Sequence, residues 1–129
     1  MNPNDLYYTE SHQWVRVEGN LGTIGITDYA QGQLGDLVYV ELPKIGDSVE
    51  KGQPLGSVES VKAVADVNSP VSGKVAETNS ALEDTPEQAN QDCYGAGWMV
   101  KVEMSDPSEV NSLLKADAYG KFVESLGSK

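Results

Sequence analysis

One lysine stands out by its setting. Lys62 interrupts Val58-Glu59-Ser60-Val61-Lys62-Ala63-Val64-Ala65-Asp66-Val67, a run otherwise made of β-branched, small, polar and acidic residues. Valines at 58, 61, 64 and 67 favour extended chain, because a β-branched side chain packs well on a pleated surface. The polar residues at 59, 60 and 62 mark where such a strand folds over. The segment therefore predicts a β-hairpin across about 58–67 with Lys62 at or beside its tip. A lysine displayed there is within reach of an enzyme and free to swing. The plainer alternative is a solvated surface lysine, the commonest state of that residue.

Other reactive side chains form no recognisable constellation. His12 is the single histidine, so multi-histidine metal sites are excluded and no metal centre is expected. Ser11 and His12 are sequence neighbours, which does not make a catalytic triad. Gly19-x-x-Gly22-x-x-Gly25 departs from the dinucleotide fingerprint and lies in a predicted hairpin, and no phosphate-binding loop is present. The lone Cys93 has no internal disulfide partner, which fits a reducing compartment, and it reads as an inert loop residue. Carboxylate pairs such as Glu83-Asp84 belong to a polar, acidic face. A chain without catalytic machinery but with a displayed lysine suits a carrier, whose reactive group is attached after synthesis. The protein then supplies presentation, orientation and shelter, and the attached group supplies the chemistry. No enzymatic activity of its own is expected.

The 129 residues fit a single domain spanning 1–129, with enough chain for a real core. Twenty acidic against nine basic residues give a net charge of −11, which argues against nucleic acid or an anionic membrane as partner. It favours a freely diffusing monomer steered towards basic protein surfaces. No apolar run approaches the roughly 20 residues needed to cross a bilayer. Met1 to Asp5 carries neither a basic nor an apolar targeting region, so no secretory signal is expected.

The elements that must hold Lys62 are mostly short strands. Residues 7–26 read as an opening hairpin, with Trp14 on one face, Val15 and Val17 on the other, and a turn at Gly19-Asn20. Thr27 is placed to cap a short helix that Gly32 weakens and Gly35 closes. Leu37 to Leu42 predicts a strand apolar on both faces, ended by Pro43. Short strands follow at 48–50, 55–59, 63–68, 74–79 and 98–103. Thr85-Pro86-Glu87-Gln88 predicts a capped helical turn, and Asp106-Pro107-Ser108-Glu109 a capping box. Asp117 opens a last helix, in which Tyr119, Phe122, Val123 and Leu126 share a face. Many short strands at close spacing, punctuated by glycine, predict a mainly β sandwich or barrel with short peripheral helices and C-terminal helices at about 107–126.

Glu59-Ser60-Val61-Lys62-Ala63 resembles the lipoyl-attachment motif of glycine cleavage system H proteins. Gly25-Ile26-Thr27-Asp28-Tyr29-Ala30-Gln31, Leu34-Gly35-Asp36, Val40-Glu41-Leu42-Pro43, Ser69-Pro70-Val71-Ser72-Gly73 and Tyr94-Gly95-x-Gly97-Trp98 match the same family, in its order, over nearly the whole chain. Biotin carriers place the lysine between methionines, and lipoyl domains of 2-oxo acid dehydrogenases have aspartate before it. Here Val61 precedes Lys62.

The resemblance implies a barrel-sandwich hybrid of two antiparallel sheets, with lipoate joined to Lys62 by a lipoyltransferase or lipoate ligase. It implies a shuttle that takes the aminomethyl group of glycine from a pyridoxal-phosphate glycine decarboxylase to a tetrahydrofolate-dependent aminomethyltransferase. A dihydrolipoyl dehydrogenase then reoxidises the carrier. Ser60, Val61 and Ala63 complete the attachment motif, Glu59 and Asp66 are implied as recognition residues, and Gly46 and Gly73 as glycines of the turns shaping the hairpin's surroundings. Ser11, Gln13 and Asp66 match a cleft that shelters the loaded arm, but Gln13 stands where the family usually has glutamate. The implied compartment is the bacterial cytoplasm, or the mitochondrial matrix for a mature eukaryotic chain. Two alternatives stay open: a lipoyl donor serving other apo-proteins, and an interaction module whose lysine is never modified.

Overall fold

The computed structural model describes residues 5–127. Among them, nine strands form two antiparallel sheets. The larger sheet joins β1 (Tyr7–Tyr8), β2 (Gln13–Glu18), β3 (Leu21–Ile26), β5 (Ser48–Val49), β8 (Gly73–Thr78) and β9 (Val100–Met104) in the order β1-β2-β3-β9-β8-β5. The smaller joins β4 (Leu37–Glu41), β6 (Pro54–Ser60) and β7 (Val64–Asn68) in the order β4-β6-β7. Helices α1 (Asp28–Leu34), α2 (Ala81–Asp84), α3 (Gln88–Gln91) and α4 (Ala116–Gly127), with a 3₁₀ helix at Pro107–Ser112, lie around them.

Alternation along the strands builds the core. Val15, Ile24, Val75, Val100 and Val102 of the larger sheet and Val40, Val58 and Val67 of the smaller are buried in one cluster. Each such side chain contributes roughly 1.5–3 kcal/mol relative to exposure. The result is the expected sandwich of two antiparallel sheets. A second cluster gathers Leu6, Tyr8, Trp14, Ala116 and Tyr119 where α4 covers the other face of β1 and β2. Tyr8 and Tyr119 stack with ring centroids 4.7 Å apart. This is why β2 is buried on both faces over Gln13–Val15. Opposite Trp14 in the register stands Gly25, where a β-carbon would lie 2.7 Å from the indole ring.

The predicted caps of α1 are present: Thr27 Oγ1 accepts from Ala30 N at 3.2 Å, and Gly35, at φ +81°, donates its N–H to Gln31 O. Other details differ. β4 is not apolar on two buried faces, because a register shift between Leu37 and Tyr39 turns Val38 and Tyr39 outward. Thr85 does not open α3; its hydroxyl donates to Ala81 O and closes α2, a helix the sequence did not signal. The capping box at Asp106 is half formed. Asp106 accepts from Ser108 N, but the Glu109 carboxylate accepts instead from Ser72 N at 2.7 Å and Ser72 Oγ at 2.9 Å. Two donors to a carboxylate outweigh one reciprocal cap. The last strand begins at Val100 rather than Trp98.

Candidate carrier site on the small sheet

The hairpin forms where the sequence puts it. β6 and β7 pair with Ser57 opposite Asp66, Val58 opposite Ala65 and Glu59 opposite Val64. Ser60 N–H donates to Ala63 O at 2.8 Å and closes the turn, leaving Val61 and Lys62 as its two tip residues. The buried Ser60 hydroxyl accepts from Ala63 N at 3.1 Å and Lys62 N at 3.3 Å. A side-chain oxygen thus holds amides that would otherwise point to solvent, and the tip is fixed by its own sequence. Val61 is 85% exposed, and Lys62 is exposed beside it.

Among the described residues the Lys62 ammonium makes no hydrogen bond or ion pair. Beside its stem is a residue with no side chain: Lys62 Cε lies 3.6 Å from where a β-carbon of Gly35 would stand. The segment from Gly35 to Leu37 is held by Asn90 of α3. The Asn90 amide donates to Gly35 O at 2.8 Å and to Gln31 Oε1 at 3.0 Å, and accepts from Leu37 N at 2.9 Å. Leu37 in turn pairs with Ser60. No sequence motif marked Asn90.

Glu59 and Asp66 are both exposed on the outward face of the small sheet. In the row containing Asp66, Ser57 Oγ donates to Glu41 Oε1 at 3.2 Å. Gly46 and Gly73 belong to the neighbouring turns. Gly46, at φ +94°, donates its N–H to Val75 O at 2.8 Å. Gly73 lies so close to Glu103 O that no β-carbon fits.

Ser11 and Gln13 line a cleft of about 270 Å³ together with Thr9, Glu10, Lys51, Asn68, Ser69 and Leu113. Asp66 is not in it. It borders a separate, open hollow with Glu41, Lys44, Asp47 and Ser57, so the three implied sheltering residues do not share one pocket. The reason is strand geometry: β7 passes the cleft with Asn68, two residues beyond Asp66. Gln13 is buried and committed. Its Oε1 accepts from Thr9 Oγ1 at 2.7 Å and Ser11 Oγ at 2.6 Å, and its Nε2 donates to Ser11 O at 2.8 Å. Between them His12 takes φ +75° and places Nδ1 2.8 Å from the Tyr119 hydroxyl, itself 2.7 Å from Thr27 Oγ1.

Burial lowers the pKa of His12 and pushes the Tyr119 hydroxyl up to about 12. Burial also pushes the Cys93 thiol up to about 11, so it stays protonated and makes a poor nucleophile. Its carbonyl accepts from Trp14 Nε1 at 3.0 Å. Among the described residues, no group of three His, Cys, Asp or Glu side chains is arranged to hold a metal, and no helix is long and apolar enough to cross a membrane.

A family model described as Glycine cleavage H-protein matches residues 6–126. The chain is 57% identical over 123 residues to the glycine cleavage system H protein of Stenotrophomonas maltophilia, covering 95% of this chain and 94% of that one. It is 54% identical over 121 residues to the H protein of Staphylococcus haemolyticus, covering 94% and 96%. It is 53% identical over 125 residues to the mitochondrial H protein 2 of Arabidopsis thaliana, covering 97% and 80%. In three dimensions it matches the crystal structure of the H protein of Mycobacterium marinum with a TM-score of 0.85 at 39% identity, covering 92% of this chain and 96% of that one. With a tip lysine on a two-sheet sandwich and full-length similarity of this degree, the chain belongs to the glycine cleavage H-protein family, a carrier component of the glycine cleavage system and not one of its catalysts.

Proposed function

We propose that lipoate is carried on Lys62, and that the chain moves the aminomethyl group of glycine from a glycine decarboxylase to an aminomethyltransferase before a dihydrolipoyl dehydrogenase reoxidises it. One observation carries the assignment: among the described residues the Lys62 ammonium is unpartnered, at a turn whose backbone is fixed by Ser60. An amide bond there displaces no native contact of that ammonium. When attached, lipoate would supply a dithiolane whose S–S bond is reduced as the one-carbon unit is taken up, which is left as a dithiol when that unit is given up, and which closes again only on oxidation by the dehydrogenase.

The remaining steps fall to the chain's own groups. Ser60 holds the tip rigid, so an attaching lipoyltransferase or ligase meets the lysine in one geometry. Glu59 and Asp66, facing outward on β6 and β7, give that enzyme a charged pattern to read. The cleft at Ser11 and Gln13 offers shelter from water to a loaded arm. The similarity to bacterial and mitochondrial H proteins supports a bacterial cytoplasm or a mitochondrial matrix as compartment, and the acidic surface supports a monomer.

The test is intact mass of protein from its native host, followed by peptide mapping. A lipoyl-sized increment on Lys62 is expected. Lys62→Arg is expected to keep the thermal midpoint, since exposed substitutions usually cost within about 0.5 kcal/mol, and to abolish glycine decarboxylation in the reconstituted system. Activity retained in Lys62→Arg, or an unmodified Lys62 in a host that lipoylates its other carriers, overturns the assignment.

A further inference from the structure

We propose that Asn90, far from Lys62 in sequence, is a positioning residue for lipoate attachment. The inference rests on the reading of Lys62 as the attachment site. Its amide bonds to Gly35 O and Leu37 N at once, at 2.8 and 2.9 Å. Carbonyl of one residue and N–H of the second residue after it is the pair an adjacent strand would engage, so the side chain stands in for a missing neighbouring backbone. A third bond, to Gln31 Oε1 at 3.0 Å, anchors the same amide to α1.

What Asn90 holds bears directly on the lysine. Gly35, at φ +81°, adopts a conformation that L side chains rarely take, and it leaves open the space beside Lys62 Cε. Leu37, two residues on, pairs with Ser60, whose hydroxyl fixes the Lys62 and Ala63 amides. Asn90 therefore sets both the floor beneath the lysine stem and the strand end from which the tip is hung. Freed from the clamp, Gly35 to Leu37 can shift, and the amine leaves the line of attack. Misplacement of a reacting atom lowers the rate of the chemical step and leaves docking intact.

Asn90→Asp is the sharpest probe. It keeps the volume and the bond from Leu37 N, but sets a carboxylate oxygen against Gly35 O. Asn79→Ala is the control for loss of side-chain bonds elsewhere, because Asn79 donates to Ala96 O at 2.8 Å and Trp98 O at 2.7 Å. Steady-state attachment of lipoate by a purified lipoate ligase is measured well below the thermal midpoint of each variant. We expect Asn90→Asp to lower kcat by about tenfold, with KM within twofold of wild type, and Asn79→Ala to change neither. Faster amide hydrogen exchange at Lys62 and Ala63 is expected in Asn90→Asp alone. Wild-type kcat in Asn90→Asp, a loss confined to KM, or an equal kcat loss in Asn79→Ala each overturn the proposal. If the wild-type protein itself accepts no lipoate at Lys62, it is the attachment reading that fails.

Discussion

At the scale of single residues, Gln13 is the most informative, because the resemblance implies a glutamate in its place. A glutamate at this position would keep both hydroxyl donors and strengthen them through its charge. It would also set an oxygen against Ser11 O, where the amide now donates at 2.8 Å. Gln13→Glu is therefore expected to lose about 1–3 kcal/mol of stability at pH 7 and to recover part of it at pH 5, where a protonated carboxyl donates again; thermal melts at the two pH values check this. The same variant is expected to lengthen the life of the aminomethyl-loaded form, and an unchanged lifetime removes residue 13 from contact with the amine. His12 supplies a separate pH signature. Burial depresses its folded pKa, so the unfolded chain binds the proton more readily, and stability is lost as pH falls through about 6.5. His12→Asn keeps a residue type that tolerates positive φ. Its melting temperature is expected to fall less than that of the wild type between pH 7.5 and 5.5, and equal slopes would remove His12 as the source.

Secondary elements divide sharply into those the sequence announced and those it did not. The Lys62 hairpin, the cap at Thr27 and the stop at Gly35 were legible because each depends on neighbours a few residues away. The outward turn of Val38 and Tyr39, the diversion of Glu109 to Ser72 and the clamp at Asn90 were not, since each depends on chain brought in from far along the sequence. The separation of Asp66 from Ser11 and Gln13 was not legible for the same reason: the cleft beside Ser11 and Gln13 is met by Asn68 of β7, and Asp66 borders another hollow. Two glycines make the distinction measurable. Gly73→Ala is expected to cost about 1–3 kcal/mol, because the Glu103 carbonyl occupies the only place for a β-carbon. Gly32→Ala, inside α1 with open space around it, is expected to gain about 0.5–1 kcal/mol. Denaturant melts of the pair are expected to shift in opposite directions.

For the molecule as a whole, a net charge of −11 on 129 residues sets a long-range repulsion that no single contact offsets. Raising salt from about 10 to 150 mM shortens the Debye length to about 8 Å, and the thermal midpoint is expected to rise over that range; a fall would mean that attractive pairs dominate. One long-range contact orders the chain in another sense. Tyr8 and Leu114 exchange backbone hydrogen bonds at 2.8 Å each way, and both residues line the cleft that holds Gln13. Synthesis runs from the first residue to the last, so β4, β6 and β7 with Lys62 between them exist before that wall can close. On a nascent chain the segment bearing Lys62 is thus made early, and the cleft beside Gln13 can close only once Leu114 has been added.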